Sequence, residues 1–274
     1  MKNRYYLIYG IVLLSAFSGC KNKPSEDSTS GNAHEKAPEK AEMRGEITIT
    51  PMVVRQLYED AILEMNEPGE YQQVSTGKTV FTYEATNFRL GTSDDQSHRG
   101  HLATYASGRH ITLILNNEIH LASDQTSLIY TLKPGRYIAL SFLTDPDYIS
   151  LKSPEAYVIR QFTAGNVKQK EADLTGPNIF YHMPSGTLAG QDTRNVLLDF
   201  YLVNCTLSEK GLKVKVTIKD KTFMIHDWTP YVIHNLPVGE NIITLELLDK
   251  NGKEVNSPYH SVTGKVVLYD REPV

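Results

Sequence analysis

Gly108-Arg-His-Ile-Thr-Leu-Ile-Leu-Asn-Asn-Glu118, followed by Leu132-Lys-Pro-Gly-Arg-Tyr-Ile-Ala-Leu-Ser-Phe-Leu143, decides the fold of this chain. The same pattern returns as Gly211-Leu-Lys-Val-Lys-Val-Thr-Ile-Lys-Asp-Lys221 and Leu236-Pro-Val-Gly-Glu-Asn-Ile-Ile-Thr-Leu-Glu-Leu247. Each copy reads as a strand, a polar turn, a glycine-closed turn and a second strand. The match extends in both directions. Tyr83 falls on Phe200, Asn87 on Asn204 and Leu90 on Leu207; Gly135 falls on Gly239, Asp145 on Asp249 and Ser153-Pro154 on Ser257-Pro258. Spaced coincidences at a nearly constant offset are the mark of an internal duplication. Gly135 and Gly239 are expected at positive φ, and Asn251-Gly252 as a type I′ hairpin turn.

Strands of this length with regular turn signals predict an all-β chain: two tandem immunoglobulin-like β-sandwich domains of about seven strands each. The first is expected over 45–165 and the second over 178–274. The polar stretch 166–177, with Gly176-Pro177, links them. Glu46-Ile-Thr-Ile-Thr50 alternates up to Pro51 and reads as a short edge strand opening the first sandwich. At most one helical turn near Val53–Tyr58 is expected, then a strand over Ile62–Met65 in register with Ile179–Met183.

The N-terminus sets the compartment. Lys2 and Arg4 precede an apolar run from Tyr5 to Phe17, then Ser18-Gly19 and Cys20. The run is short for a membrane span, and the pattern is that of a lipoprotein signal peptide over 1–19 with lipidation at Cys20. Residues 20–44 lack aromatic and β-branched aliphatic side chains, so they bury nothing to offset chain entropy and read as a flexible tether. Lys21 after the cysteine favours the outer membrane. Removing the signal takes the formal net charge from −4 to −6. An acidic chain without a basic stripe excludes a nucleic-acid partner, because phosphate neutralisation supplies most of that affinity.

The polar segment with the richest chemistry is the loop from Gly91 to Ser107, long in the first copy where the second has Ser208-Glu-Lys210. Asp94, Asp95, His98, Arg99 and His101 are its candidate ligand contacts. His98, His101 and His110 are also candidate ligands for a divalent cation, set against a plain solvated loop. Trp228 and Tyr231, in Asp227-Trp-Thr-Pro-Tyr231, form a second candidate, as an exposed aromatic platform or as side chains packed over a turn. Cys205 stands where the first copy has Phe88 and reads as a packed thiol. No nucleophile elbow, phosphate-cradling loop, Cys-x-x-Cys or His-Glu-x-x-His occurs, so neither an enzyme nor a cofactor is expected.

Gly108–Glu118, Leu197-Leu-Asp-Phe-Tyr-Leu-Val-Asn204, Trp228-Thr-Pro-Tyr231, Leu236–Asn241 and Leu245–Asp249 resemble a group of uncharacterised Bacteroidota lipoproteins. Some members of that group are labelled "phosphopeptide-binding". The resemblance implies an envelope location and no catalytic motif. A phosphate site would need clustered arginine, for which Arg89, Arg99, Arg109 and Arg136 are at hand. The expected function is a membrane-anchored, non-enzymatic binding module for a protein, peptide or glycan. The alternative is a divalent-metal-binding envelope protein.

Overall fold

The computed structural model describes residues 44–54, 58–92 and 108–271, whose regular secondary structure is strand apart from one 3-10 turn at Gln191–Arg194. The first sandwich comprises β2 (Ile62–Glu67), β3 (Gln73–Val74), β4 (Gly77–Thr86), β5 (His110–Leu115), β6 (Ile119–Ser123), β7 (Ser127–Leu132), β8 (Gly135–Thr144) and β9 (Tyr157–Ala164). Its sheets run β2-β4-β7 and β3-β9-β8-β5-β6. The second comprises β10 (Asn178–Met183), β11 (Gly186–Ala189), β12 (Asn195–Val203), β13 (Lys213–Ile218), β14 (Lys221–Ile225), β15 (Tyr231–His234), β16 (Gly239–Leu248) and β17 (Ser261–Tyr269). Its five-stranded sheet runs β11-β17-β16-β13-β14, the same order shifted by eight strands. Both copies pair their short second strand parallel to their last, β3 on β9 and β11 on β17. The chain therefore forms two tandem immunoglobulin-like sandwiches, with eight strands in each copy rather than seven.

The duplication reaches backbone detail. Asn87 and Asn204 adopt φ of 58° and 57°. The register of β2 on β4 slips at Asn66, and that of β10 on β12 slips at His182. Asp145 accepts the N–H groups of Asp147 (2.8 Å) and Ile149 (2.9 Å), as Asp249 accepts those of Asn251 (2.8 Å) and Lys253 (2.9 Å). Two turn expectations need correction. Gly239 has φ +90°, but Gly135 starts β8 outside the left-handed region; nearby, Gly165 takes it at +74°. In Asn251-Gly252 only the glycine has positive φ (78°), so the turn is not type I′. The Asp249 carboxylate closes it instead, as an Asx turn. Tyr148 (φ 64°) takes the place of Gly252 in the first copy.

β1 (Thr48–Pro51) also departs from expectation. It forms, but it pairs antiparallel with β15 and so belongs to the second sandwich, whose four-stranded sheet runs β1-β15-β12-β10. The cause is side-chain alternation: Ile47 and Ile49 pack into the second core. Asn235 Nδ2 donates to the Glu46 carbonyl at 3.1 Å, and Met52 N–H to the Pro230 carbonyl at 2.8 Å. From Ile47 the chain thus contributes a strand to the second sandwich, builds the first, and returns.

The sandwiches meet face to face. Along β8, Tyr137, Ala139 and Leu143 enter the first core, while Ile138, Leu140 and Phe142 point the other way. Along β12, Leu198, Phe200 and Leu202 enter the second core, while Tyr201 and Val203 point out. These outward side chains join Ile114 and Phe180 in a third, shared core, with the Phe142 and Tyr201 rings stacked at 4.7 Å. Seven buried side chains at roughly 1.5–3 kcal/mol each amount to a junction worth on the order of 10 kcal/mol in gross burial. The connection between the copies packs on the same cluster through Ala172 and Leu174. The Gln161 side chain holds it by exchanging hydrogen bonds with the Ala172 backbone (3.0 and 3.1 Å). The described residues of both sandwiches consequently belong to one compact unit.

Candidate functional site

The face that is exposed on the first sandwich is the junction on the second, and a buried polar cluster sits there. Asp199 lies on β12 opposite the β10 bulge, with its side chain fully buried. Its Oδ2 accepts the Ser150 N–H (2.9 Å) and hydroxyl (2.6 Å). Lys152 reaches across from the β8–β9 connection and donates to Asp199 Oδ1 (2.6 Å), Ser150 Oγ (2.6 Å) and the Phe200 carbonyl (2.9 Å). Three acceptors satisfy the three N–H bonds of an ammonium. Burial pulls the Lys152 pKa down, and the Asp199 carboxylate opposes that. The ammonium also lies 5.1 Å from the Trp228 ring and 5.5 Å from that of Tyr201.

His182, the residue bulged out of β10, approaches the same carboxylate at 4.0 Å. Its Nε2 is 3.0 Å from the Tyr148 carbonyl, which only accepts, so Nε2 carries the proton of a neutral imidazole. Burial drives its pKa down to about 3, against the pull of Asp199 and with the help of His120, His110 and Lys152. No His182–Asp199 ion pair therefore forms at neutral pH.

Beside this cluster a cleft of about 410 Å³ opens between the sandwiches, lined by Tyr58, Asp145, Ser150, Lys152, Trp228 and Pro230 among others. Lys152 shows it a fifth of its side chain. Burial raises Asp145 to about 7; the charges of Asp147 and Asp199 add to this, and its two backbone hydrogen bonds offset part of it. Asp249 makes the same two bonds in the open and is held below the ordinary carboxylate range, first by the Lys253 N–H. The contrast isolates the junction as the cause. Among the described residues no group of three or more His, Cys, Asp or Glu side chains is placed to hold a metal.

The sequence candidates distribute unevenly. Asp94, Asp95, His98, Arg99 and His101 lie outside the described residues. The two ends of their loop meet where Gly91 N–H donates to the Arg109 carbonyl (2.8 Å) and Arg109 N–H to that of Thr92 (2.9 Å). Arg109 stacks 4.4 Å over the ring of Tyr58, so the loop is rooted at the cleft rim. His110 is buried on β5, with Nδ1 2.9 Å from the Gly108 carbonyl. Trp228 is half-buried; its Nε1 donates to Phe200 (3.0 Å), its ring meets Tyr201 edge-on, and it walls the cleft. Tyr231 is buried in the second core and closes the turn by donating to the Asp227 carbonyl (3.0 Å). It is no platform, because its ring is core. The Cys205 thiol packs at the edge of that core and is pushed up to about 11 by burial. Arg136 donates to the Lys170 carbonyl of the connection. Sequence reasoning missed Ser150, Lys152, His182 and Asp199. The available signal was a carboxylate inside the apolar run Leu197–Val203.

No family model and no curated protein matches the chain. Among solved structures it is similar to the fibronectin(III)-like modules of Clostridium thermocellum CbhA (9% identity, 78% of this chain and 97% of that one, TM-score 0.28). A second is the Bacteroides ovatus mixed-linkage glucan utilization locus protein SGBP-B in complex with a mixed-linkage heptasaccharide (11%, 75% and 47%, 0.24). A third is the two tandem V-type regions of the chitin-binding protein VCBP3 (7%, 76% and 99%, 0.22).

Proposed function

We propose that the chain is an envelope lipoprotein, held to the membrane by a lipidated Cys20, that acts as a non-enzymatic binding module and takes its ligand in the junction cleft. The carrying observation is the cleft itself, which has small-molecule size and mixed walls. Trp228, Tyr58 and Pro230 supply apolar surface, and Asp145, Ser153 and Thr229 supply hydrogen-bonding groups. The Lys152 cluster beneath fixes the geometry of both walls, which is the preorganisation that binding favours. The loop carrying Asp94, Asp95, His98, Arg99 and His101 is rooted beside Tyr58 and supplies further contacts in this proposal.

A ring with hydroxyls fits such walls, so a glycan is the ligand class to test first. Saturation-transfer NMR against a panel of soluble neutral and acidic oligosaccharides is expected to give a signal that Ser153→Trp, which fills the cleft mouth, reduces at least about tenfold. Binding unchanged in a folded Ser153→Trp protein would move the site away from the cleft. The anchor has its own test. Cys20→Ser is expected to move the protein from the membrane to the soluble fraction, because the acyl chains bring about 0.8 kcal/mol per buried methylene. Wild-type membrane fractionation of that variant would remove the anchor.

A further inference from the structure

The duplication leaves one difference that packing inside either sandwich does not explain. In the second copy the edge of β15 is covered by β1; in the first, β7 ends its sheet. The pairings fix the equivalence. Phe81 faces Leu128 as Leu198 faces Tyr231, so the covered positions Val232 and His234 correspond to Ile129 and Thr131. Among the described residues no strand lies beyond β7.

The backbone there is turned outward. Tyr83 N–H donates to the Thr126 carbonyl (2.8 Å), and antiparallel alternation from that pair directs the N–H and C=O of Ile129 and Thr131 away from β4. Asn235 N–H on the Arg194 carbonyl (2.9 Å) sets the same alternation in the second copy, where Val232 and His234 meet β1. Edge strands are ordinarily blunted by lysine, proline or a bulge. β2, at the far side of the same sheet, has Glu64, Glu67 and the slip at Asn66. Ser127-Leu-Ile-Tyr-Thr-Leu132 has none of these devices. Ile129 is 64% exposed and stands beside Val80, 47% exposed, on the outer face.

We propose that β7 is a docking edge for an extended segment of a partner protein, which adds antiparallel as the fourth strand of that sheet. The precedent within the molecule sets the chemistry of the occupant. β1 sends Ile49 to the core and Thr48 and Thr50 outward, with Thr50 Oγ1 2.8 Å from His234 Nε2. A segment for β7 therefore carries aliphatic residues at alternate positions beside Leu128 and Tyr130, and threonine or isoleucine between them. Main-chain hydrogen bonds give such a complex its affinity, and the alternate side chains its specificity. In a second copy of this chain the segment with that pattern is already engaged on its own β15. A separate partner is therefore the occupant.

The probe is a synthetic peptide of residues 44–54 added to the full chain, read by amide hydrogen exchange. The expected result is exchange about tenfold slower at Ile129 and Thr131. Ile129→Pro, which removes an outward N–H and no bond to β4, abolishes that protection. Ile129→Lys, which keeps the N–H and adds a gatekeeper charge, weakens it and serves if the proline variant does not fold. Three results would overturn the proposal: no protection on β7, protection confined to β15, or protection of β7 without peptide in a concentration-dependent dimer. The last would assign the edge to a second copy.

Discussion

Lys152→Met is expected to lower folding stability by about 3–5 kcal/mol, the cost of leaving a buried carboxylate without its counter-charge. Asp199 is fully buried, and without the ammonium it keeps only the two Ser150 donors. Ser150 and Lys152 come from the first sandwich and Asp199 from the second, so the pair ties the two bodies together. The loss should fall on one cooperative transition, because the shared core already joins the sandwiches. Urea unfolding is the measurement, with a lower midpoint and an unchanged slope expected. Lys152→Met/Asp199→Leu should recover most of the loss, since replacing both members of a buried pair by apolar residues is often neutral. Equal midpoints for Lys152→Met and wild type would show that the pair contributes nothing to the junction.

Apolar pattern and turn residues made the strands and the duplication legible, because both are local. Asn87 and Asn204 match in sequence and in φ, and Asp145 and Asp249 match in sequence and in hydrogen bonding. Gly135 and Gly239 match in sequence but not in φ, because the same residue closes an extended and a left-handed backbone equally well. The membership of β1 was illegible for a different reason. Its alternation says that one face is buried but not in which copy, and the deciding contacts, with Asn235 and His234, lie far along the chain.

The junction left a trace that strand counting passes over. β4 alternates between buried and exposed, as a strand with one solvated face does. Its counterpart β12 is buried along nearly its whole length, and so is β5. An uninterrupted apolar run on a strand whose duplicate alternates marks a face that a second layer must cover. The loop at Gly91–Ser107 drew attention because it differs between copies in length. The larger difference was in composition: Asp199 and Tyr201 occupy the places of Thr82 and Glu84. Spacing identified the loop, whereas the cleft depends on two elements nearly fifty residues apart, 150–152 and 199.

Two titratable groups that the junction perturbs have shifts of opposite sign, so pH separates them. The His182 pKa falls from 6.5 to about 3 in the folded chain, so unfolded chains bind more protons through that window. Its contribution is complete above pH 6.5 and is lost as pH falls toward 3, at about 1.4 kcal/mol per unit. His110 and His120 are shifted in the same direction by burial. Asp145 rises from 3.8 to about 7, so there the folded chain binds more protons and stability is lost as pH rises through that window. Between about pH 4 and 6.5 the two nearly cancel. Asp145→Asn keeps an oxygen to accept the Asp147 and Ile149 N–H groups and removes the titration. Its stability should therefore rise with pH more steeply than that of wild type, by about 1.4 kcal/mol per unit. His182→Gln keeps a donor for the Tyr148 carbonyl and should shift the slope by a similar amount in the other direction. Urea midpoints at half-unit steps across this range are the test, and the slopes, not the absolute midpoints, carry the answer. Parallel curves for the wild type and both variants would mean that neither group titrates differently on folding, and the buried junction would then have to be wetter than its packing shows.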